Sequence, residues 1–199
     1  MPMIVAYERV LERMEREGFV CNYYNGGAFG FARAVTTHVA AHVGPADPTI
    51  RPAALPFTIA VDPPYETNLA RLAVRAWLEQ IDADSIVWVM PMAHWAFELD
   101  HGSGGWMQPL LREIGVDAGT LTSHNNAAAI EFHPSEAGAF HRLVAGLLTH
   151  LHSSDFALAF PGHPVLCTVH HHRQLWWITS DQALAERLRE VRPDIRSTW

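Results

Sequence analysis

Residues 156–179, FALAFPGHPVLCTVHHHRQLWWIT, decide the fold class of this chain. Apolar side chains alternate with alanine from Phe156 to Phe160, and residues 161–164 (Pro-Gly-His-Pro) have the composition of a turn. Two runs rich in β-branched and aromatic residues follow, at 165–170 and 175–179. The stretch therefore predicts three consecutive antiparallel strands.

Amphipathic helices are predicted on both sides of these strands. Pro134 stands where a helix begins, and Ser180 or Asp181 is a suitable N-cap for a last helix. Earlier in the chain, helices are predicted at 4–17, ending before Gly18, and at 66–80. The helix after Pro134 has the strongest apolar stripe in the sequence, formed by Phe140, Leu143, Val144, Leu147, Leu148 and Leu151.

The remaining elements are mixed in order along the chain. Helices are predicted at 28–43 and 106–114, and further strands at 19–24, 57–61, 85–90, 93–100 and 127–132. This order favours an α+β fold with a largely antiparallel sheet over a doubly wound parallel one. The length of 199 residues suits a single domain, with a proline-rich loop at 44–56.

Composition excludes several classes of protein. The formal net charge is −7, from 14 Lys and Arg against 21 Asp and Glu, and no basic stripe suited to nucleic acid is present. No apolar window is long enough to span a membrane. Two cysteines far apart, with no signal-peptide pattern, indicate a soluble cytoplasmic protein.

The segment Ala93–Trp106 is the first candidate site. If residues 93–100 form a strand, Glu98 and Asp100 lie on one face with His94, next to His101. Such a group could hold a divalent cation or share acid–base work. Alternatively, the two carboxylates are only the solvent face of an edge strand.

The glycine-rich loop at 102–105 adds a possible ligand contact. Free N–H groups where a loop enters a helix attract anions, so Ser103 and Gly104 are candidate ligand-binding residues. The aromatic and histidine side chains around the same segment would line the pocket, and they are Trp95, Trp106, His94 and His124.

Histidine is abundant, with 13 residues. On the predicted helix 28–43, His38 and His42 are four apart and would share a face, as metal-binding pairs do; a surface or partly buried pair without metal is the alternative. His170, His171 and His172 fall at a predicted hairpin turn, where they form either an adventitious metal patch or a designed site.

Three functions are consistent with these features. The first is a cytoplasmic acidic binding domain that recognises a protein or a small ligand through an aromatic-lined surface or pocket. The second is a metal-dependent hydrolase with Glu98, Asp100 and His101 as catalytic groups, which implies a divalent metal as cofactor. The third is an acyl or phosphoryl transferase that uses the 102–105 loop.

Overall fold

The computed structural model describes residues 1–22, 28–45, 57–102, 105–123 and 128–192. These residues form an eight-stranded sheet in the order β1-β7-β6-β8-β9-β10-β4-β5, and a separate pair β2-β3. The strands are β1 Met3–Val5, β2 Phe19–Asn22, β3 Ala28–Phe31, β4 His38–Pro45, β5 Thr58–Val61, β6 Val87–Pro91, β7 Ala129–Phe132, β8 Phe156–Ala159, β9 Val165–His170 and β10 Gln174–Thr179.

The helices lie between these strands. They are α1 Tyr7–Arg16, α2 Tyr65–Arg75, α3 Trp95–Phe97, α4 Met107–Glu113, α5 Ala118–Ser123, α6 Ala137–His150 and α7 Gln182–Glu190. Helix α2 continues as a π-helical segment, Ala76–Ile81, and a second π-helical turn, Glu98–Gly102, follows α3. A 3₁₀ turn, Pro134–Glu136, precedes α6.

The sheet is antiparallel at every described pairing except that of β4 with β5, which is parallel. The predicted meander is confirmed, because β8, β9 and β10 are neighbours in the sheet. The predicted α+β class is confirmed as well.

Each face of the sheet is covered by a different layer, and strand parity separates the two. Val87 and Val89 of β6 pack into the larger core with α2, α6 and α7, on the side called the helical face here. Trp88 and Met90 point the other way, against α1 and the β2-β3 pair, on the side called the hairpin face. Central strands with both faces buried need apolar residues at nearly every position, as their sequences show.

One predicted helix is wrong and another is shorter than predicted. The helix expected at 28–43 is replaced by β3 and β4, because Ala40, Ala41 and Val43 are buried in a strand that lies between β10 and β5. The helix expected at 4–17 starts later, at Tyr7, because Met3–Val5 pair with β7.

The strand expected at 93–100 is also wrong. His94 caps a helical turn, since its Nδ1 accepts a hydrogen bond from the Phe97 backbone N–H at 3.0 Å. Trp95 and Leu99 are both buried. They are four residues apart, so they lie on the same face of a helix as well as on the same face of a strand.

Among the described residues, no helix combines the length and the apolarity needed to cross a membrane. Most of the predicted proline-rich loop, residues 46–56, lies outside the described part of the chain. Gly44 and Pro45, its first two residues, belong to β4.

The N-cap of α7 gives a test of the local structure. The Asp181 carboxylate accepts a hydrogen bond from the Leu184 backbone N–H at 3.1 Å. We expect Asp181→Ala to lower the free energy of unfolding by about 1 kcal/mol, because one N–H at the helix start loses its acceptor. Asp181→Asn keeps an acceptor and should change it by only a few tenths of a kcal/mol. Urea denaturation measures both, and equal losses in the two variants would contradict the capping role.

Candidate functional site

Three consecutive histidines lie where β9 ends and the turn to β10 begins, and a carboxylate faces them. Phe156 of β8 pairs with Val169 of β9, so Asp155 lies opposite His170, one position further along the two strands. The neighbouring strand therefore brings to the histidines an acid that is distant in sequence.

Asp155 contacts two of the three imidazoles with one oxygen. Its Oδ1 lies 2.8 Å from Nδ1 of His170 and 2.8 Å from Nδ1 of His171. The same oxygen accepts a hydrogen bond from the His171 backbone N–H at 3.0 Å. Burial acts to raise the pKa of Asp155, but these hydrogen bonds outweigh it and hold the pKa below its usual value.

An ionised Asp155 determines which ring nitrogens carry hydrogen. An ionised carboxylate can only accept hydrogen bonds, so Nδ1 of both His170 and His171 must be the donors. In each neutral ring, Nε2 then presents a lone pair. A carboxylate that accepts from Nδ1–H while Nε2 remains available is the arrangement found behind metal-binding histidines.

The three rings are packed closely enough to share an ion. The ring centroids are separated by 4.2 Å for His170 and His171, 4.9 Å for His170 and His172, and 4.3 Å for His171 and His172. One nitrogen from each ring can be chosen so that all three lie within 4.8 Å of one another. Desolvation, with the nearby His171 and His170, lowers the pKa of His172, which favours the neutral ring that a metal requires.

An aromatic wall lies beside the histidines on the hairpin face of the sheet. The indole of Trp176 is 4.1 Å from the His170 ring, centroid to centroid, and 5.7 Å from that of His42. Its Nε1 donates to Gln174 Oε1 at 2.8 Å, which fixes the ring. The neighbouring Trp177 points to the helical face and is buried in the core. One of the two adjacent indoles therefore packs in the core and the other remains partly exposed at the site.

Glu98, a residue predicted from the sequence, lies behind this cluster. Ser154 Oγ donates to Glu98 Oε2 at 2.8 Å, and Ser154 directly precedes Asp155. Glu98 is fully buried, and this burial raises its pKa, as does the negative charge of Asp155. A buried carboxyl with a raised pKa thus lies next to the ionised carboxyl that orients the histidines.

Asp100 does not join Glu98. On a helical turn, residues two apart point in nearly opposite directions, so the expected shared face is wrong. Asp100 is exposed and lines a groove of about 730 Å³ with Gln108, Arg112 and Thr122. His101 belongs to the same π-helical turn, but its side chain lies outside the described part, as do Ser103, Gly104 and His124.

The residues predicted to line a pocket at this segment, Trp95, Trp106 and His94, all make contacts within the fold. Trp95 is fully buried, donates to the Ala128 carbonyl at 2.7 Å and meets Phe156 edge-on. Trp106 precedes α4 and stacks on His150 at 4.9 Å. His94 is exposed and engaged in the helix cap. Their role in binding a ligand remains a prediction.

The expected His38–His42 pair loses its geometric basis. Both residues are on β4, and the register of β4 with β10 shifts between Trp177 and Ile178. His42 lies opposite Trp176, on the hairpin face. His38 lies opposite Thr179, a buried residue on the helical face. The bulge therefore directs the two imidazoles to opposite faces.

Asp155 and Ser154 were not identified from the sequence. A usable signal was present, because a hairpin with its turn at 161–164 pairs residue 156 with 169 and hence 155 with 170. No protein-family model, curated protein or solved structure matches the chain.

The raised pKa of Glu98 predicts a pH-dependent effect of Glu98→Gln. A carboxyl whose pKa is higher in the folded than in the unfolded protein contributes stability at low pH and loses it as pH rises through the folded pKa. We therefore expect the variant to gain stability relative to the wild type as pH increases above the usual glutamate pKa, measured by urea denaturation between pH 4 and 8.

The control is Glu12→Gln, which changes a carboxylate that is 70% exposed. Because this side chain stays in water when the protein folds, the stability difference between this variant and the wild type should vary with pH much less than that of Glu98→Gln. A Glu98→Gln difference that is equally flat, or that falls with pH, would show that the carboxyl is not held in its neutral form by burial.

Proposed function

We propose that this protein is a binding domain that holds a divalent transition-metal ion at His170, His171 and His172 and captures its ligand at that ion, beside Trp176. The observation that carries the proposal is the single oxygen of Asp155 at 2.8 Å from Nδ1 of both His170 and His171. A histidine run on an ordinary surface has no need of a partly buried carboxylate that orients two of its rings.

The chemistry of the donors indicates the class of metal. Imidazole nitrogen suits Zn²⁺, Cu²⁺ and Ni²⁺, whereas Mg²⁺ and Ca²⁺ prefer oxygen. Three protein ligands leave at least one coordination position open in a tetrahedral site. The ligand supplies a lone pair to that position and packs an apolar group on the Trp176 indole. A small molecule or an exposed side chain of a protein partner meets both requirements.

A cytoplasmic location is part of the same proposal. Both cysteines are free, with Cys167 buried and Cys21 half-buried, as suits a reducing compartment. The acidic net charge of −7 supports the binding of a basic or neutral partner.

Hydrolysis is the second candidate, because a metal held by the three histidines would keep an open coordination position for water. A metal with three histidine ligands and an open position lowers the pKa of a bound water to about 7 and makes it a nucleophile at neutral pH. Glu98 is fully buried and Asp100 lines a separate groove, so the two carboxylates are not placed to act together. A metal-bound water is therefore the better candidate for the nucleophile. Group transfer at the 102–105 loop stays a prediction, since Ser103 and Gly104 lie outside the described residues.

Zinc titration of protein purified without a metal-affinity column tests the proposed function. We expect one Zn²⁺ per chain in isothermal titration, and loss of that binding in His170→Ala. Asp155→Asn should weaken binding by about 10- to 100-fold, because the amide that replaces the carboxylate is uncharged and its oxygen is a weaker acceptor for the two Nδ1–H groups. Far-UV circular dichroism checks that both variants fold.

The matched control is His163→Ala. His163 lies at the opposite end of β9, in the turn after β8, where its Nε2 is 3.4 Å from Asp82. This variant should bind Zn²⁺ as the wild type does. Zinc affinity that falls equally in all three variants, or that is unaffected by Asp155→Asn, would contradict a site built around Asp155.

A further inference from the structure

A second groove, of about 580 Å³, lies on the hairpin face at the other side of the sheet and is lined entirely by described residues. Strand register defines its floor, because Met3 of β1 pairs with Glu131 of β7, and Glu131 pairs with Trp88 of β6. Helix α1 forms one wall. A volume of this size is in the range of small-molecule pockets.

The floor of the groove combines an indole with a carboxylate. Trp88 and Glu131 are both more than nine-tenths buried, and Trp88 Nε1 donates to Glu131 Oε2 at 2.8 Å. The other oxygen, Oε1, is 3.4 Å from Nε2 of the half-exposed His133. A carboxylate at the floor of a groove is suited to bind an ammonium group through charge and hydrogen bonds.

The wall presents guanidinium groups. Arg9, Arg13 and Arg16 all line the groove, at the i, i+4 and i+7 spacing of one helix face. Arg13 pairs with Glu17 and Arg16 pairs with Glu12. Within the described part of the chain Arg9 makes no ion pair, so its guanidinium is available to a carboxylate ligand.

Opposite charges balance in this lining. Three arginines face three carboxylates, those of Glu12, Asp84 and Glu131. A simple anion or a simple cation therefore gains from one half of the groove and is repelled by the other. The lining also contains apolar residues, which are Met3, Ile4, Val5, Ile86, Trp88 and Pro161.

We propose that this groove binds an amino acid with an apolar side chain. The ammonium group contacts Glu131, the carboxylate pairs with Arg9, and the side chain packs on the apolar residues of the lining. The site is independent of the histidine cluster, so its test does not depend on metal.

Three probes separate the contributions of the two charged ends. They are L-leucine, N-acetyl-L-leucine, which lacks the ammonium, and L-leucinamide, which lacks the carboxylate. Binding is followed by the shift of the Trp88 indole N–H resonance in ¹H–¹⁵N spectra. We expect L-leucine to bind, and each derivative to bind at least tenfold more weakly, because each loses one charge-assisted contact.

Arg9→Ala is the informative variant because Arg9 is exposed and its removal leaves the fold intact. It should weaken L-leucine at least tenfold and leave L-leucinamide unchanged. The control is Arg112→Ala, an exposed arginine of α4 that lines the other groove and should have no effect. The proposal is overturned if none of the probes shifts the Trp88 resonance, if N-acetyl-L-leucine binds as tightly as L-leucine, or if Arg9→Ala does not change L-leucine binding.

Discussion

The antiparallel pairing of β8 with β9 is the constraint on which the histidine site depends. It places Asp155 opposite His170, so the acid meets the imidazoles across the ladder without being near them in sequence. The turn into β10 then places His171 beside the same carboxylate and His172 against the other two rings. Trp176 lies next to His170 on the adjacent strand. A shift of one residue in this register would reverse every side chain of β9 and remove the acid from the site.

The two layers that cover the sheet explain where polar groups can collect. The helical face is covered by α2, α6 and α7, which pack a continuous apolar core against it. The hairpin face is covered by α1 and the β2-β3 pair over the middle of the sheet. Partly exposed polar and aromatic residues therefore remain at two places on this face, at the β9-β10 turn and beside β1. Both candidate sites lie on the face with the smaller cover.

Much of the fold could be predicted from local sequence, and the reasons are specific. The meander, α6 and α7 were predictable because alternation, a turn with two prolines and a capping aspartate agree with one another. The segment 93–100 was not, because Trp95, Phe97 and Leu99 fit a strand by alternation, while Trp95 and Leu99 also fit a helix by spacing. In the structure, the hydrogen bond from the Phe97 N–H to His94 caps and stabilises the helical turn. The prediction for segment 28–43 was wrong because its small buried residues show neither the spacing of a helix nor the alternation of a strand.

The site could be predicted only in part for a related reason. Glu98 was predicted to act with Asp100 and His101, yet the acid that contacts the histidines is Asp155, whose position opposite them follows from strand register. The histidine site depends on ionised Asp155, which orients His170 and His171 with hydrogen on Nδ1 and a lone pair on Nε2. Long-range ¹H–¹⁵N spectra of the imidazoles, recorded at a pH where the rings are neutral, report which nitrogen carries hydrogen. We expect protonated Nδ1 in both rings and an Nε2 shift on addition of Zn²⁺; protonated Nε2 in both rings, unchanged by Zn²⁺, would show that Asp155 does not orient them.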